Sequence, residues 1–175
     1  CIRDSLSASQ QIFQKQYGLG QEFPYIFASL AISVGFATFL NSRLVIRFGM
    51  MKLVHIAMLG YVLTSILYLI LYANQPNPSV IILVSFFAVQ FFCIGFLFGN
   101  LRALAMEPMG HIAGVGSALN GFISTVMAVP IADYIGSFVD ETVIPLFVGF
   151  SICGLISLIL FYGQAPYMKR VFRTG

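Results

Sequence analysis

An all-α, polytopic transmembrane helical bundle is the fold that this sequence predicts, on three observations. The chain has 175 residues, of which 59% are hydrophobic and 9% charged. An ordinary soluble domain carries about 25% charged residues. The mean hydropathy is +0.93. Second, the apolar residues gather into five stretches, each near the roughly 20 residues that cross a bilayer as a helix. Third, Lys and Arg collect at alternate ends of these stretches, as the positive-inside rule asks of a multi-pass protein.

The stretch that organises the chain is 79–127, SVIILVSFFAVQFFCIGFLFGNLRALAMEPMGHIAGVGSALNGFISTVM. Two apolar segments flank a short polar hinge, Arg102 to His111, which also carries Glu107. Pro108 and Gly110 break the helix between them. The pattern predicts a helical hairpin that bends at a membrane surface.

The chain has no initiator Met and no signal-peptide pattern. Cys1-Ile2-Arg3-Asp4-Ser5 resembles a translated sequencing-adapter end, so 1–5 is read as an artefact. The expectation is then a fragment of a longer gene, cut on its N-terminal side, and the alternative is a natural short protein with a processed start. Residues 6–24, LSASQQIFQKQYGLGQEFP, are polar by this protein's standards. Gly18, Gly20 and Pro24 mark them as an outer loop or surface helix.

The first complete span is about 25–44. Ser29, Ser33 and Phe36 fall near one face, although serines in membrane helices usually bond back to their own backbone. Asn41 to Lys52 follows, with Arg43, Arg47 and Lys52 marking the cytoplasmic side. Gly49 supplies a tight turn. The second span is about 53–73, with His55 as an interfacial residue at its cytoplasmic end. Tyr68 and Tyr72 fit an aromatic belt at the other. Asn74 to Pro78 is an uncharged outer turn.

The third span, 79–101, holds Gln90 and Cys93. Gly95, Gly99 and Ala103 form a four-residue stripe that lets another helix come close. Gly99 is the expected contact. The fourth span, 112–134, has Ala113, Ser117, Gly121 and Thr125 on one small-residue face, widened by Gly114 and Ala118. Pro130 should kink its outer end. Asp133, Asp140 and Glu141 gather outside. The fifth span is 143–162, and Lys169, Arg170 and Arg173 then place the tail, 165–175, in the cytoplasm. Lys15, on the outer side, is the exception to the charge pattern.

Several functions are disfavoured. The net charge of +3 comes without basic runs or basic–aromatic alternation, so a nucleic-acid partner is not expected. Cys1, Cys93 and Cys153 lack disulfide or metal-ligand spacing. Cys93 and Cys153 read as inert thiols inside spans. The run Ala113-Gly114-Val115-Gly116-Ser117-Ala118-Leu119 lacks the third glycine and the βαβ context of a dinucleotide site. Helix packing explains it better. No ionisable groups converge at mid-membrane, so neither catalysis, a cofactor nor a metal is expected.

FGNLRALAMEPMGHIAGVGSALNGFIS resembles the cytoplasmic hinge between the tenth and eleventh helices of Bcr/CflA-type multidrug exporters, in the major facilitator superfamily. QQIFQKQYGLGQEFPYIFASLAISVGFATFLNSRLVIRFG is similar to the end of helix seven, the outer loop and helix eight of that family. The resemblance spans about 7–165, and AMEPMGHIAG is its specific part. It implies that the five spans are helices eight to twelve of twelve, the C-terminal half of a major facilitator fold. The N-terminal six-helix half and most of helix seven would be missing.

The resemblance further implies a proton-driven antiporter that exports drugs or other amphipathic compounds across a bacterial inner membrane, with a role in antibiotic resistance. Arg43, Arg47 and Gly49 match the family's basic loop motif. Met50 and Met51 stand where further basic residues are usual. Arg43, Arg47 and Gly49, with Arg102, Glu107, Gly110, His111 and Gly114, form the expected cytoplasmic gate. Polarity and spacing put Ser33, Phe36, Gln90, Cys93, Asn120 and Ser124 forward as substrate-lining positions. Their alternative role is ordinary packing. The proton-coupling carboxylate is expected in the missing half, because Asp4, Glu22, Glu107, Asp133, Asp140 and Glu141 all lie outside mid-span. An exporter of one metabolite, such as an amino acid or peptide, and a non-transporting helical scaffold remain alternatives. A membrane-embedded enzyme is the weakest.

Overall fold

The structure is a computed structural model that describes residues 23–73, 78–138 and 142–171. The expected outer segment up to Glu22, most of the 74–78 turn, Asp140 and Glu141 lie outside these residues. The described chain forms five long helices: α1 (Phe23–Phe48), α2 (Met50–Tyr72), α3 (Val80–Met106), α4 (Ala113–Gly136) and α5 (Ile144–Val171). A 3-10 segment, Glu107–Ile112, joins α3 to α4. All five are long and apolar enough to cross a membrane, and the described residues form an all-α membrane bundle.

The helices overrun the apolar spans, because helix formation does not stop where hydrophobicity does. α1 begins at Phe23, with Pro24 in its first turn, where a missing N–H costs nothing. α3 continues through Arg102, Ala103, Leu104 and Ala105 to Met106, all good helix formers. Pro108 then ends it, so the polar hinge shrinks to Glu107–Ile112. Arg102 stands on α3, not in the hinge. Met109, at φ −107° and ψ 20°, is where the helical path breaks. α4 runs across Pro130 to Gly136 without interruption. The backbone of α5 stays helical to Val171, well into the segment expected as a tail. α1 and α2 are separated by Gly49 alone, at φ +79°, a conformation that a Cβ would strain.

In a bilayer, helix association rests on packing and hydrogen bonds, since lipid tails are as apolar as leucine. The packing here is concentrated in four helices. α1 lies along α3, α3 along α2, and α2 along α5. Three buried clusters mark these seams. Leu30, Tyr68, Leu83, Phe87, Val143 and Phe147 join α1, α2, α3 and the start of α5. Ala37, Leu53, Ala57 and Phe96 join α1, α2 and α3. Val54, Met58, Leu104 and Phe161 join α2, α3 and α5. None of these residues belongs to α4. Tyr68 is 1% exposed and stacks on Phe147 at 3.7 Å between ring centroids. It is therefore a core residue and not part of an interfacial belt.

The close helix contact falls at Gly95. A Cβ there would meet Ala37 Cβ at 2.7 Å and the Val34 carbonyl oxygen at 3.0 Å. Gly99, the expected contact, is exposed and would place a Cβ no nearer than 3.8 Å to Asn41 Nδ2. Ala103 is exposed as well. α4 touches the rest of the chain near its ends. Gly116, its one buried residue, sits against Met106 and Met109. Toward the other end, Ile135 fills the space over Gly149 of α5. Ala113, Ser117 and Thr125 are exposed, and Gly114 and Gly121 have open space where a Cβ would stand. The small-residue face of α4 therefore packs on nothing described within the chain.

Candidate functional site

The polar side chains at depth are few, and each needs a partner where water is absent. Hydroxyls on the exposed faces solve this locally. Ser29 donates to the Ile26 carbonyl at 2.6 Å, Ser33 to the Ser29 carbonyl at 3.2 Å, and Thr38 to the Val34 carbonyl at 2.9 Å. These back-bonds leave Ser29 and Ser33 as self-satisfied helix residues.

Two interhelical polar contacts go further. At the α1–α3 seam, Asn100 Nδ2 donates to Asn41 Oδ1 at 2.7 Å and to the Phe96 carbonyl at 3.0 Å. Asn41 Nδ2 returns a bond to Asn100 Oδ1 at 3.3 Å. The reciprocal amides fix the register of α1 on α3, one turn beyond the Gly95 contact. At the α2–α3 seam, Gln90 Nε2 donates to Ser65 Oγ at 2.5 Å. The Ser65 hydroxyl in turn donates to the Tyr61 carbonyl at 3.0 Å. Both residues are 0% exposed.

Gln90 Oε1 is the exception, a fully buried carbonyl oxygen with no hydrogen-bond partner. Leaving such an acceptor unpaired costs roughly 1–3 kcal/mol. It is the strongest polar irregularity in the described bundle. Its chemistry is that of a hydrogen-bond acceptor: it can receive an N–H or O–H, and it cannot carry a proton. Cys93, one turn along α3, packs its sulfur toward Gly60 of α2, where a Cβ would come within 3.3 Å. Cys93 and Cys153 are free thiols.

The six expected lining positions do not converge. Gln90 and Cys93 face α2. Phe36 is exposed, with its ring centroid 6.3 Å from that of Phe92 on α3. Ser33 is bound to its own helix. Asn120 and Ser124 pair with each other along α4 at 3.5 Å. The gate residues are likewise spread. Arg43 and Arg47 are exposed, with guanidinium carbons 5.7 Å from the Phe39 and Phe48 rings respectively. Glu107 is exposed, and Gly110 and Gly114 have open space around them. His111 falls in the 3-10 segment. His55 Nδ1 lies 2.7 Å from the Met51 carbonyl, and its ring packs edge-on to Phe161 and Tyr162.

Ser65 and Asn100 are the buried, interhelically bonded polar residues that sequence reasoning passed over. Asn100 sits beside Gly99 in a run otherwise read for small residues. Ser65 looks like any membrane serine until Gln90 is placed opposite. Among the described residues, no group of three or more His, Cys, Asp or Glu is placed to hold a metal ion. Comparison of the chain with models of protein families, with characterised proteins and with solved structures gives no match.

Proposed function

We propose that this chain works in proton-coupled secondary efflux of drugs or other small amphipathic compounds by alternating access, as the C-terminal part of a larger carrier. The observation that carries the reading is the asymmetry of the bundle. Four helices pack as a block, while α4 leaves its face of Ala113, Ser117 and Gly121 unpacked. A carrier with its site at the interface of two halves needs one face free to meet the other half. The hinge resemblance in AMEPMGHIAG supports the same reading.

The proposed setting is a bacterial inner membrane, with the hinge and the C-terminus cytoplasmic. Proton coupling lies outside this chain. Of the described acidic residues, Glu107 is in the hinge and Asp133 is exposed near the end of α4. A coupling carboxylate belongs in a cavity at depth.

The test is expression of the whole reading frame that carries this chain, in cells stripped of their own pumps. Accumulation of an amphipathic cationic dye should fall, and a protonophore should restore it. Asp133→Asn should keep the proton gradient dependence. Dye accumulation equal to that of empty cells would reject the reading.

A further inference from the structure

Arg102 is exposed near the end of α3. Its guanidinium carbon lies 4.8 Å from the centroid of the Phe98 ring, one turn earlier. That contact restrains the cation without consuming its N–H donors. No carboxylate pairs with it among the described residues. Glu107 is exposed in the hinge, and the first turn of α4 holds no acidic residue.

An open pocket of about 280 Å³ lies beside it, lined by Arg102, Met106, Ser117, Ala118 and Asn120. Asn120 has its carbonyl oxygen facing the Ser124 hydroxyl at 3.5 Å, which leaves its Nδ2 donors for the pocket. The Ser117 hydroxyl is held by the Gly114 carbonyl at 3.1 Å. The lining therefore carries one cation, one free amide donor, two apolar side chains and no acid. The volume is below the roughly 300–1,000 Å³ typical of drug-sized ligands.

We propose that this pocket, between the end of α3 and the first turns of α4, binds a phosphate group, with Arg102 and Asn120 as its donors. A guanidinium fork matches two phosphate oxygens at once. Met106 and Ala118 suit the carbon chain attached to a phosphodiester. The pocket stands beside the hinge at the end of a membrane-spanning hairpin, the level at which lipid phosphates lie. Basic pockets between spanning helices take anionic headgroups in this way. A lipid headgroup and free phosphate share the chemistry, and the experiment separates them. The inference does not depend on transport.

Native mass spectrometry of the delipidated protein, expressed from the whole reading frame that carries this chain, would be run against phosphatidylglycerol, phosphatidylcholine and inorganic phosphate. Phosphatidylglycerol should bind at least five-fold more tightly than phosphatidylcholine. Arg102→Gln should remove about five-fold of that affinity. Asn120→Ala should weaken it with the charge intact, and Arg102→Lys should recover part. Lys52→Gln, which removes an exposed cation outside the pocket, should change nothing. Arg102-dependent binding of inorganic phosphate without a lipid preference would support the site and assign it to a free anion. Equal binding of both lipids with no Arg102-dependent phosphate binding would overturn the proposal. So would a loss in Lys52→Gln as large as in Arg102→Gln.

Discussion

α3 and α4 carry the same kind of signal and use it differently. Each has small residues at four-residue steps: Gly95, Gly99 and Ala103 on one, Ala113, Ser117 and Gly121 on the other. On α3 one glycine of the stripe is pressed against the backbone of α1, and the reciprocal Asn41–Asn100 amides lock the seam beside it. On α4 Ala113 and Ser117 are exposed and Gly121 has open space beside it. The share of the apolar span buried within the chain is 33% for α3 and 6% for α4. A small-residue stripe permits close approach, and the partner decides whether it occurs. Gly95 is closed because Ala37 and the Val34 carbonyl stand opposite it. α4 is held at Gly116 and Ile135, so its middle turns have no such partner described in this chain.

Substitutions at these contacts break or sharpen this contrast. Gly95→Leu should be the most damaging, at about 3 kcal/mol, because its neighbours include a backbone carbonyl that cannot swing away. Unfolding in detergent micelles would measure it, and Gly121→Leu in the same assay should stay within about 0.5 kcal/mol. Gly149→Leu comes next, at about 2 kcal/mol. It displaces Ile135, whose side-chain carbons already occupy the site. Proteolysis should then become faster in α4 and unchanged in α2. Asn100→Leu should cost about 1 kcal/mol, within the usual range for interhelical polar contacts in bilayers. Adding Asn41→Leu should recover part of that loss. Gln90→Leu should be smallest, near zero, since it deletes an unpaired acceptor along with one bond. Ser65 keeps its bond to the Tyr61 carbonyl.

Much of this fold was legible in the chain. Span-length apolar runs give long helices whatever packs around them, so five helices follow from composition and period. The Gly49 turn followed from one residue type in a basic junction. The helix ends did not follow, because Arg102 interrupts the apolar run while Arg102 to Met106 all favour helix. The packed faces were also hidden. α2, α3 and α5 are apolar on every side, so hydrophobicity marks no inner face. Tyr68 was misread for this reason: its place near a span end suits a belt, and only Phe147 across the seam shows that it is core. The polar pairs were legible as residues and not as pairs. Asn41 and Asn100 lie 59 positions apart, a distance over which no local pattern reaches.

The central claim is that the middle of α4 faces lipid in this chain while the other helices pack together. Nitroxide labels at Gly121→Cys and Ala57→Cys test it most directly, in protein whose native cysteines are replaced and which is reconstituted alone in a bilayer. Oxygen concentrates in the hydrocarbon core, and its collision rate with the label reads contact with lipid. The label at 121 should collide freely with oxygen, and the label at 57, buried in the α1–α2–α3 cluster, should not. Equally low collision rates at both positions would show that α4 is packed like its neighbours and would contradict the account.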